Sequence, residues 1–164
     1  MITSKEKVLT LEALAEKVRM HQGQSKTVAL CHGCFDILHV GHLRHFEAAK
    51  KLADILVVTV TPDRFVGKGP NRPVFPEGER AELIAGLGVI DWVAVNRWDS
   101  AIETIKTIRP SLFIKGQEYE TRAMDVNPNF LKEKTAVEEI GGKIAFTYEI
   151  TFSSTAAFKK LNAN

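Results

Sequence analysis

Five short apolar segments that alternate with helical segments constrain the fold of this chain more than any other feature of its sequence. Strands that are apolar on both sides are buried on both faces, and strands joined through helices run parallel in one sheet. The pattern predicts an α/β fold, a Rossmann-like doubly wound sandwich with a five-stranded parallel sheet. The strands are predicted at residues 27–31, 54–60, 92–95, 111–115 and 143–147, and the helices at about 10–23, 41–52, 77–87, 100–108 and 130–140, with a last helix from about Ser153.

Length and composition fit one folding unit. The chain has 164 residues, of which 45% are hydrophobic and 26% charged, and this is enough to bury a core. We expect a helical extension over residues 1–25 and a single domain over residues 26–164.

Charge and hydropathy exclude two classes of partner. A formal net charge of +2 provides no extended basic face for nucleic acid. The longest apolar stretch, residues 55–60, is too short to cross a bilayer, and the N-terminus lacks the apolar core of a signal peptide. We therefore expect a cytoplasmic protein that binds neither nucleic acid nor membrane.

The segment after the first predicted strand is the most informative for function. A doubly wound sheet binds ligands beyond the carboxyl ends of its strands, and residues 32–42 read His-Gly-Cys-Phe-Asp-Ile-Leu-His-Val-Gly-His there. Gly33 permits a sharp turn and a close approach to a ligand. His39 and His42 flank the start of the next helix, whose unpaired N–H groups attract anions. We interpret this cluster as a phosphate-binding site rather than as surface or core histidines.

These residues resemble the signature of a known family. Gly33-Cys34-Phe35-Asp36, followed by His39-Val40-Gly41-His42, resembles the motif of the cytidylyltransferase-like nucleotidyltransferases. The resemblance runs from about Lys26 onward and is closest to the nucleotidyltransferase domain of bifunctional heptose-phosphate kinase/adenylyltransferases. Further matches are Ala49-Lys50, Lys68-Gly69, Arg72-Pro73, Glu79-Arg80, residues 90–93, Lys115-Gly116 with Tyr119, and Ser153-Ser154-Thr155.

The resemblance implies an activity and a set of site residues. The activity is transfer of a nucleoside monophosphate from ATP or CTP to a sugar 1-phosphate or polyol phosphate, with release of pyrophosphate and with Mg²⁺ as cofactor. No protein ligand is assigned to the metal. A homodimer and a fused or partner sugar kinase are also implied. The implied catalytic residues are His39, His42, Lys50 and Lys68; the nucleotide-binding residues are Gly33, Cys34, Phe35, Asp36, Gly41, Arg80, Lys115, Gly116, Ser153, Ser154 and Thr155; and the acceptor-binding residues are Arg72, Glu118 and Tyr119.

This chemistry needs few catalytic groups. A phosphate monoester is largely dianionic at pH 7, so its oxygen attacks without a general base. The site must align the reactants and neutralise charge on the α-phosphate and the departing pyrophosphate. The cations Lys68, Arg72, Arg80 and Lys115 exceed what one phosphate group requires, which indicates a second anionic substrate.

Other functions remain open from the sequence. Cys31 and Cys34 have the spacing of a thiol-redox pair, although that motif places a helix at the first cysteine, where a strand ends here. The same cysteines with His39 and His42 could form a zinc site with an unusually short spacer. The histidine motif also resembles that of class I aminoacyl-tRNA synthetases. A nucleotide-binding sensor without catalytic activity is the non-enzyme alternative.

Overall fold

The protein is described here from a computed structural model that covers residues 2–121, 127–149 and 154–161, without the side chains of Ser154 and Ala157. The strands are β1 (Val8–Leu9), β2 (Val28–Gly33), β3 (Ile55–Val60), β4 (Trp92–Val95), β5 (Leu112–Gly116) and β6 (Lys143–Thr147). The helices are α1 (Ser4–Lys7), α2 (Leu11–Gly23), α3 (Val40–Lys51), α4 (Glu77–Ala85), α5 (Ile102–Ile108), α6 (Glu118–Thr121), α7 (Phe130–Glu139) and α8 (Ser154–Leu161), with a 3₁₀ turn at Asp63–Phe65.

The strands form one parallel sheet in the order β1-β4-β3-β2-β5-β6. The five predicted strands are all present, and the α/β class is confirmed. The count of five is wrong, because β1 adds a sixth strand at the edge, where Val8 pairs with Val93 and Leu9 with Ala94. A strand of two residues is too short to show an apolar period in the sequence.

The core lies on both faces of the sheet. On β2, Leu30 packs with α2, α5 and α7, whereas Ala29 and Cys31 pack with α3 and α4 on the opposite face. Every residue of β3 is buried, as expected for a strand covered on both sides. Residues 11–18, which fall in the predicted N-terminal extension, contribute Leu11, Leu14 and Val18 to the same core.

The described residues contain no helix with the length and apolar content needed to span a membrane.

Candidate functional site

A crevice opens where the sheet changes winding direction. From β2 the chain adds β3 and then β4 on one side, and β5 and β6 lie on the other side. Such a switch point is where doubly wound sheets bind their ligands. Two adjoining cavities, of about 540 Å³ and about 290 Å³, open at the carboxyl ends of β2 and β5. Both are lined by His32, Gly33, Cys34, Lys68, Lys115 and Tyr119.

The first helical turn after β2 fixes two histidine rings side by side. His39 is the N-cap of α3, and its Nδ1 accepts a hydrogen bond from the Gly41 N–H at 3.1 Å. The Nδ1 of His42 accepts in turn from the His39 N–H at 3.3 Å. Because each Nδ1 is an acceptor, the ring proton of each neutral imidazole lies on Nε2. The rings stack with centroids 3.9 Å apart, and both histidines line the larger cavity.

The two histidines are neutral donors rather than cations. Burial, together with the smaller effects of His39, Lys68 and His45, lowers the pKa of His42 to about 3. Burial and the charge of Lys68 also lower the pKa of His39. Near pH 7 the positive charge lining the cavities therefore comes from Lys68 and Lys115.

The Phe35 ring packs between His42 and the buried Phe46. Its ring contacts His42 edge-on at 5.5 Å and Phe46 at 5.1 Å between centroids. To reach this position Phe35 adopts a φ of 48°, which is uncommon for a residue with a side chain. The ring lies 2.9 Å from where a Cβ on Gly33 would stand. A side chain at position 33 would therefore force the Phe35 ring to shift from its contact with His42.

Asp36 and Arg72 form a buried ion pair with each other. Their side chains are 0% and 1% exposed, and the Arg72 Nε donates to the Asp36 carboxylate. Asp36 also accepts the N–H groups of Val74 and Phe75. Burial alone would raise the pKa of Asp36, but these hydrogen bonds outweigh it and lower the pKa. Arg72 stacks on Phe158 of α8, 4.7 Å from its ring centroid. Neither residue is among those that line the two cavities, so the structure does not bring their side chains together with the other predicted site residues.

Arg80 is likewise a structural cation. Its guanidinium is almost fully buried, and it donates to the carbonyls of Cys34, Thr61 and Phe75 and to the carboxylate of Asp63. These bonds tie both ends of the 61–76 loop to the segment after β2. Arg80 lines neither cavity, and its hydrogen bonds in the structure hold the loop rather than face the crevice.

Lys50 lies at the wrong end of its helix for phosphate binding. Its Nζ is 2.6 Å from an Asp91 carboxylate oxygen and 2.5 Å from the Asp54 carbonyl. Asp54 precedes β3 and Asp91 precedes β4, so Lys50 is at the amino edge of the sheet, opposite the crevice. The structure therefore removes Lys50 from the predicted catalytic set.

The end of β5 contributes most of the remaining predicted residues. Lys115 and Tyr119 line both cavities, and Gly116 and Glu118 line the larger one. The Glu118 carboxylate occupies the place that a Cβ on Gly116 would take. Burial raises the pKa of the Tyr119 hydroxyl, and the nearby Glu133 and Glu118 carboxylates raise it further. Tyr119 therefore stays protonated beside the cavities.

The predicted serine and threonine cluster is only partly visible. Ser153 lies outside the described residues, and Ser154 begins α8 with its side chain also outside them. Thr155 is half-buried in the first turn of α8 and is not among the residues that line the cavities.

Sequence reasoning assigned no role to several residues that line the crevice. His45 follows His42 on the same helix face, and its Nδ1 lies 2.6 Å from the Thr147 Oγ1. The repeat of histidine at every third position was an available signal for it. His32 lies 2.9 Å from the Thr59 Oγ1 and lines both cavities. Gln117 and Glu149 also line the larger cavity, and the polar residues that also line the smaller one are Thr61, Asp99, Ser100, Asn127 and Glu133.

The thiol and zinc alternatives find no support in this geometry. Cys31 is buried within β2, and burial raises the pKa of its thiol to about 12, so the reactive thiolate does not form near pH 7. Burial also raises the pKa of Cys34. Across residues 2–121, 127–149 and 154–161, no three histidine, cysteine, aspartate or glutamate side chains converge as metal ligands.

Residues 30–159 match the cytidylyltransferase-like family. The bifunctional protein HldE of Syntrophotalea carbinolica is 36% identical over 140 residues, which are 84% of this chain and 27% of that protein. The bifunctional protein HldE of Campylobacter fetus is 36% identical over 139 residues, which are 84% of this chain and 29% of that protein. This chain thus spans less than a third of the length of these relatives.

Two solved structures have the same fold at low sequence identity. The lipopolysaccharide core biosynthesis protein of Thermoplasma volcanium aligns with a TM-score of 0.61 and 23% identity, over 78% of this chain and 99% of that one. The pantoate-beta-alanine ligase of Francisella tularensis aligns with a TM-score of 0.63 and 13% identity, over 93% of this chain and 72% of that one.

Proposed function

We propose, because this chain belongs to the cytidylyltransferase-like family, that it transfers a nucleoside monophosphate from a triphosphate to a sugar 1-phosphate or polyol phosphate and releases pyrophosphate. The membership confirms the resemblance that the histidine motif indicated. The observation that carries the proposal is the pair of fixed Nε2–H donors of His39 and His42 at the N-terminus of α3, beside Lys68 and Lys115.

The larger cavity is the proposed seat of the triphosphate. The N-terminus of α3 and the two imidazoles offer hydrogen-bond donors, which suit phosphate oxygens without adding net charge. Lys68, in the loop after β3, also lines this cavity and adds a cation. Mg²⁺ would add further neutralisation to the triphosphate, since it is usually held through phosphates and few protein carboxylates.

The smaller cavity is the proposed seat of the acceptor. Asp99, Ser100 and Asn127 are hydroxyl-recognising side chains, as a sugar or polyol requires, and Lys68 and Lys115 supply charge for its phosphate. Because both cations are shared with the larger cavity, one set of charges would serve both substrates. This replaces the cation surplus expected from the sequence, since Arg72 and Arg80 are engaged within the protein.

The reaction then needs alignment and charge neutralisation. An oxygen of the acceptor phosphate attacks the α-phosphorus, a new P–O bond forms, and the bond from the α-phosphorus to the β-bridging oxygen breaks. The electron pair leaves with pyrophosphate. The donors of His39 and His42 would stabilise charge that develops on the α-phosphate and on the leaving group. No protein base is required, because the acceptor phosphate is largely dianionic.

ATP is proposed as the preferred nucleotide, ahead of CTP, because the sequence motifs resemble those of the heptose-type adenylyltransferase domain. A homodimer and a sugar kinase, fused or separate, remain part of the proposal. The word "bifunctional" in the names of the curated relatives supports a second activity joined to this one in those proteins.

A pyrophosphate-release screen tests the proposal. ATP, CTP, GTP and UTP are each paired with heptose, hexose, pentose and glycerol phosphates, with and without Mg²⁺. We expect one nucleotide to dominate, ATP ahead of CTP, and a strict need for a phosphorylated acceptor and Mg²⁺. Release only with a non-phosphorylated acceptor would overturn the dianionic nucleophile. Tight triphosphate binding without release for any pair would favour a non-catalytic sensor.

A further inference from the structure

A buried carboxylate on α7 has no part in the proposed reaction. Glu133 is 1% exposed, although a charged side chain is rarely buried without partners that compensate for lost hydration. Sequence reasoning assigned it no role, because it reads as one of several acidic residues on an amphipathic helix. Its neighbours in the fold give it one.

Three segments of the chain meet at this carboxylate. Its Oε2 lies 3.4 Å from the Lys115 Nζ on β5 and accepts from the Asn127 Nδ2 at 3.1 Å. Its Oε1 accepts the backbone N–H of Ala101, just before α5, at 3.2 Å. Each of these segments supplies residues to the smaller cavity, which Glu133 itself also lines.

Lys115 is held on its other sides as well. Its Nζ lies 4.7 Å from the ring centroids of both Phe113 and Tyr119. Its side chain is only 5% exposed, although a lysine stem ordinarily has many rotamers. Two aromatic faces and one carboxylate thus fix the ammonium where the two cavities join.

We propose that Glu133 is a positioning residue that holds the Lys115 ammonium between the nucleotide and acceptor cavities and, through the same carboxylate, sets the walls of the acceptor cavity. This inference rests on the proposed function, because it assigns Lys115 to the substrates' phosphates. Glu133 acts through Lys115, and it need not touch the reacting atoms.

A double-mutant cycle tests this coupling. Glu133→Gln keeps the side-chain shape and an oxygen for the Ala101 N–H, but it removes the charge that holds Lys115. We expect Glu133→Gln and Lys115→Met each to lower kcat/KM for the acceptor about tenfold or more, and the double variant to be no worse than Lys115→Met. Glu138→Gln, which removes the same charge from an exposed site on α7, should change kcat/KM by less than about twofold. Additive losses in the double variant would overturn the proposal.

Two further measurements keep the outcome decisive. Thermal unfolding shows whether Glu133→Gln folds, and Glu133→Asp is measured beside it, because this acid keeps the charge that holds Lys115. The acceptor KM of Glu133→Asp is expected to lie closer to the wild-type value than that of Glu133→Gln, and a KM raised as much as in Glu133→Gln would count against the proposal. If Glu133→Gln does not fold, Glu133→Asp replaces it in the cycle, where losses that add to those of Lys115→Met would overturn the proposal. If the wild-type protein releases no pyrophosphate, the proposed function fails, and the same cycle is run on the Kd of a non-hydrolysable ATP analogue. Additive changes in that Kd would still overturn the coupling.

Discussion

At the scale of single residues, the site separates hydrogen-bond donors from charges. His39 and His42 have lowered pKa values, because burial disfavours their charged forms, so near pH 7 both are neutral N–H donors in the proposed site. Lys68 and Lys115 supply the positive charge. Neutral donors fixed by backbone hydrogen bonds need little reorganisation as charge develops, which is what electrostatic stabilisation of a transition state requires.

Replacing His42 tests the donor role. His42→Ala should lower kcat by a factor on the order of 10², because one preorganised donor to the developing charge is lost. His21→Ala is the matched control, since His21 lies on α2 and contacts Trp92 away from the crevice. Steady-state kinetics and thermal unfolding would be compared for both variants. Near-normal kcat in a folded His42→Ala protein would remove His42 from the catalytic residues.

Lys50 and Lys68 were both predicted to be catalytic, but their replacement should affect activity differently. Lys68→Met should lower kcat/KM roughly 10- to 100-fold, the cost of one charged hydrogen bond to phosphate. Lys50→Met should leave kcat/KM nearly unchanged and cost less than about 1 kcal/mol of stability, because the Lys50–Asp91 pair is partly exposed and far from the crevice. Equal losses of activity would contradict the placement of Lys50.

The spacing of the site residues along the chain determined which of them could be predicted from the sequence. The histidine motif is contiguous, so its residues and their position after β2 were predictable. Lys50 follows His39 by eleven residues on one helix, a rise of about 16 Å, which carries it to the opposite edge of the sheet. The sequence also did not reveal that the guanidinium groups of Arg72 and Arg80 donate hydrogen bonds to carboxylates and backbone carbonyls within the protein. Glu133, Asn127 and Asp99 come from separate segments that only the fold brings together.

At the scale of elements, β2, the turn after it and α3 act as one unit. Gly33 ends β2, Phe35 packs back over it, and the Phe35 ring supports His42 on α3. The position of the histidines therefore depends on a contact that involves no charged group.

Substituting Gly33 tests this dependence. A Cβ at position 33 would stand 2.9 Å from the Phe35 ring, so Gly33→Ala should displace the ring, cost about 1–3 kcal/mol of stability and lower kcat. Gly78→Ala is the control, because its Cβ would meet nothing within 4 Å and alanine favours the helix by up to about 1 kcal/mol. Chemical denaturation and kinetics give both readouts. Wild-type stability and activity in Gly33→Ala would contradict the packing argument.

The sequence predicted five of the six strands, and β1 was missed for a physical reason. The five longer strands have enough apolar residues to show burial on both faces, and helical segments of sufficient length separate them. β1 has only Val8 and Leu9, and it exists because it pairs with β4, a contact distant in sequence. Tertiary pairing, not local pattern, makes it a strand.

At the scale of the whole molecule, the buried histidines of the crevice make the protein less stable at acid pH. Burial lowers the pKa of His32 to about 3, of His42 to about 3 and of His45 to about 4. An unfolded histidine titrates near 6.5, so below that pH the unfolded chain binds protons that the folded protein does not. The free energy of unfolding therefore falls with falling pH, until the folded pKa values near 3 to 4 are reached.

The slope of that loss is measurable. Each such histidine contributes about 1.4 kcal/mol per pH unit below its unfolded pKa. His32→Asn should remove about one such contribution between pH 6 and pH 4, measured by urea unfolding at several pH values, and leave the pH dependence above 7 unchanged. The same slope in both proteins would show that His32 is not held neutral in the folded state.

Direct nucleotidyl transfer from a triphosphate to the phosphate of an acceptor can be followed with an isotope. The acceptor carries a heavy oxygen isotope on its phosphate, and the products are analysed by phosphorus NMR and mass spectrometry. We expect label in the bridge between the two phosphorus atoms of the new nucleotide-linked product, unlabelled pyrophosphate, and equal amounts of both products. Label absent from that bridge, or cleavage of the triphosphate between its β- and γ-phosphates, would contradict direct transfer.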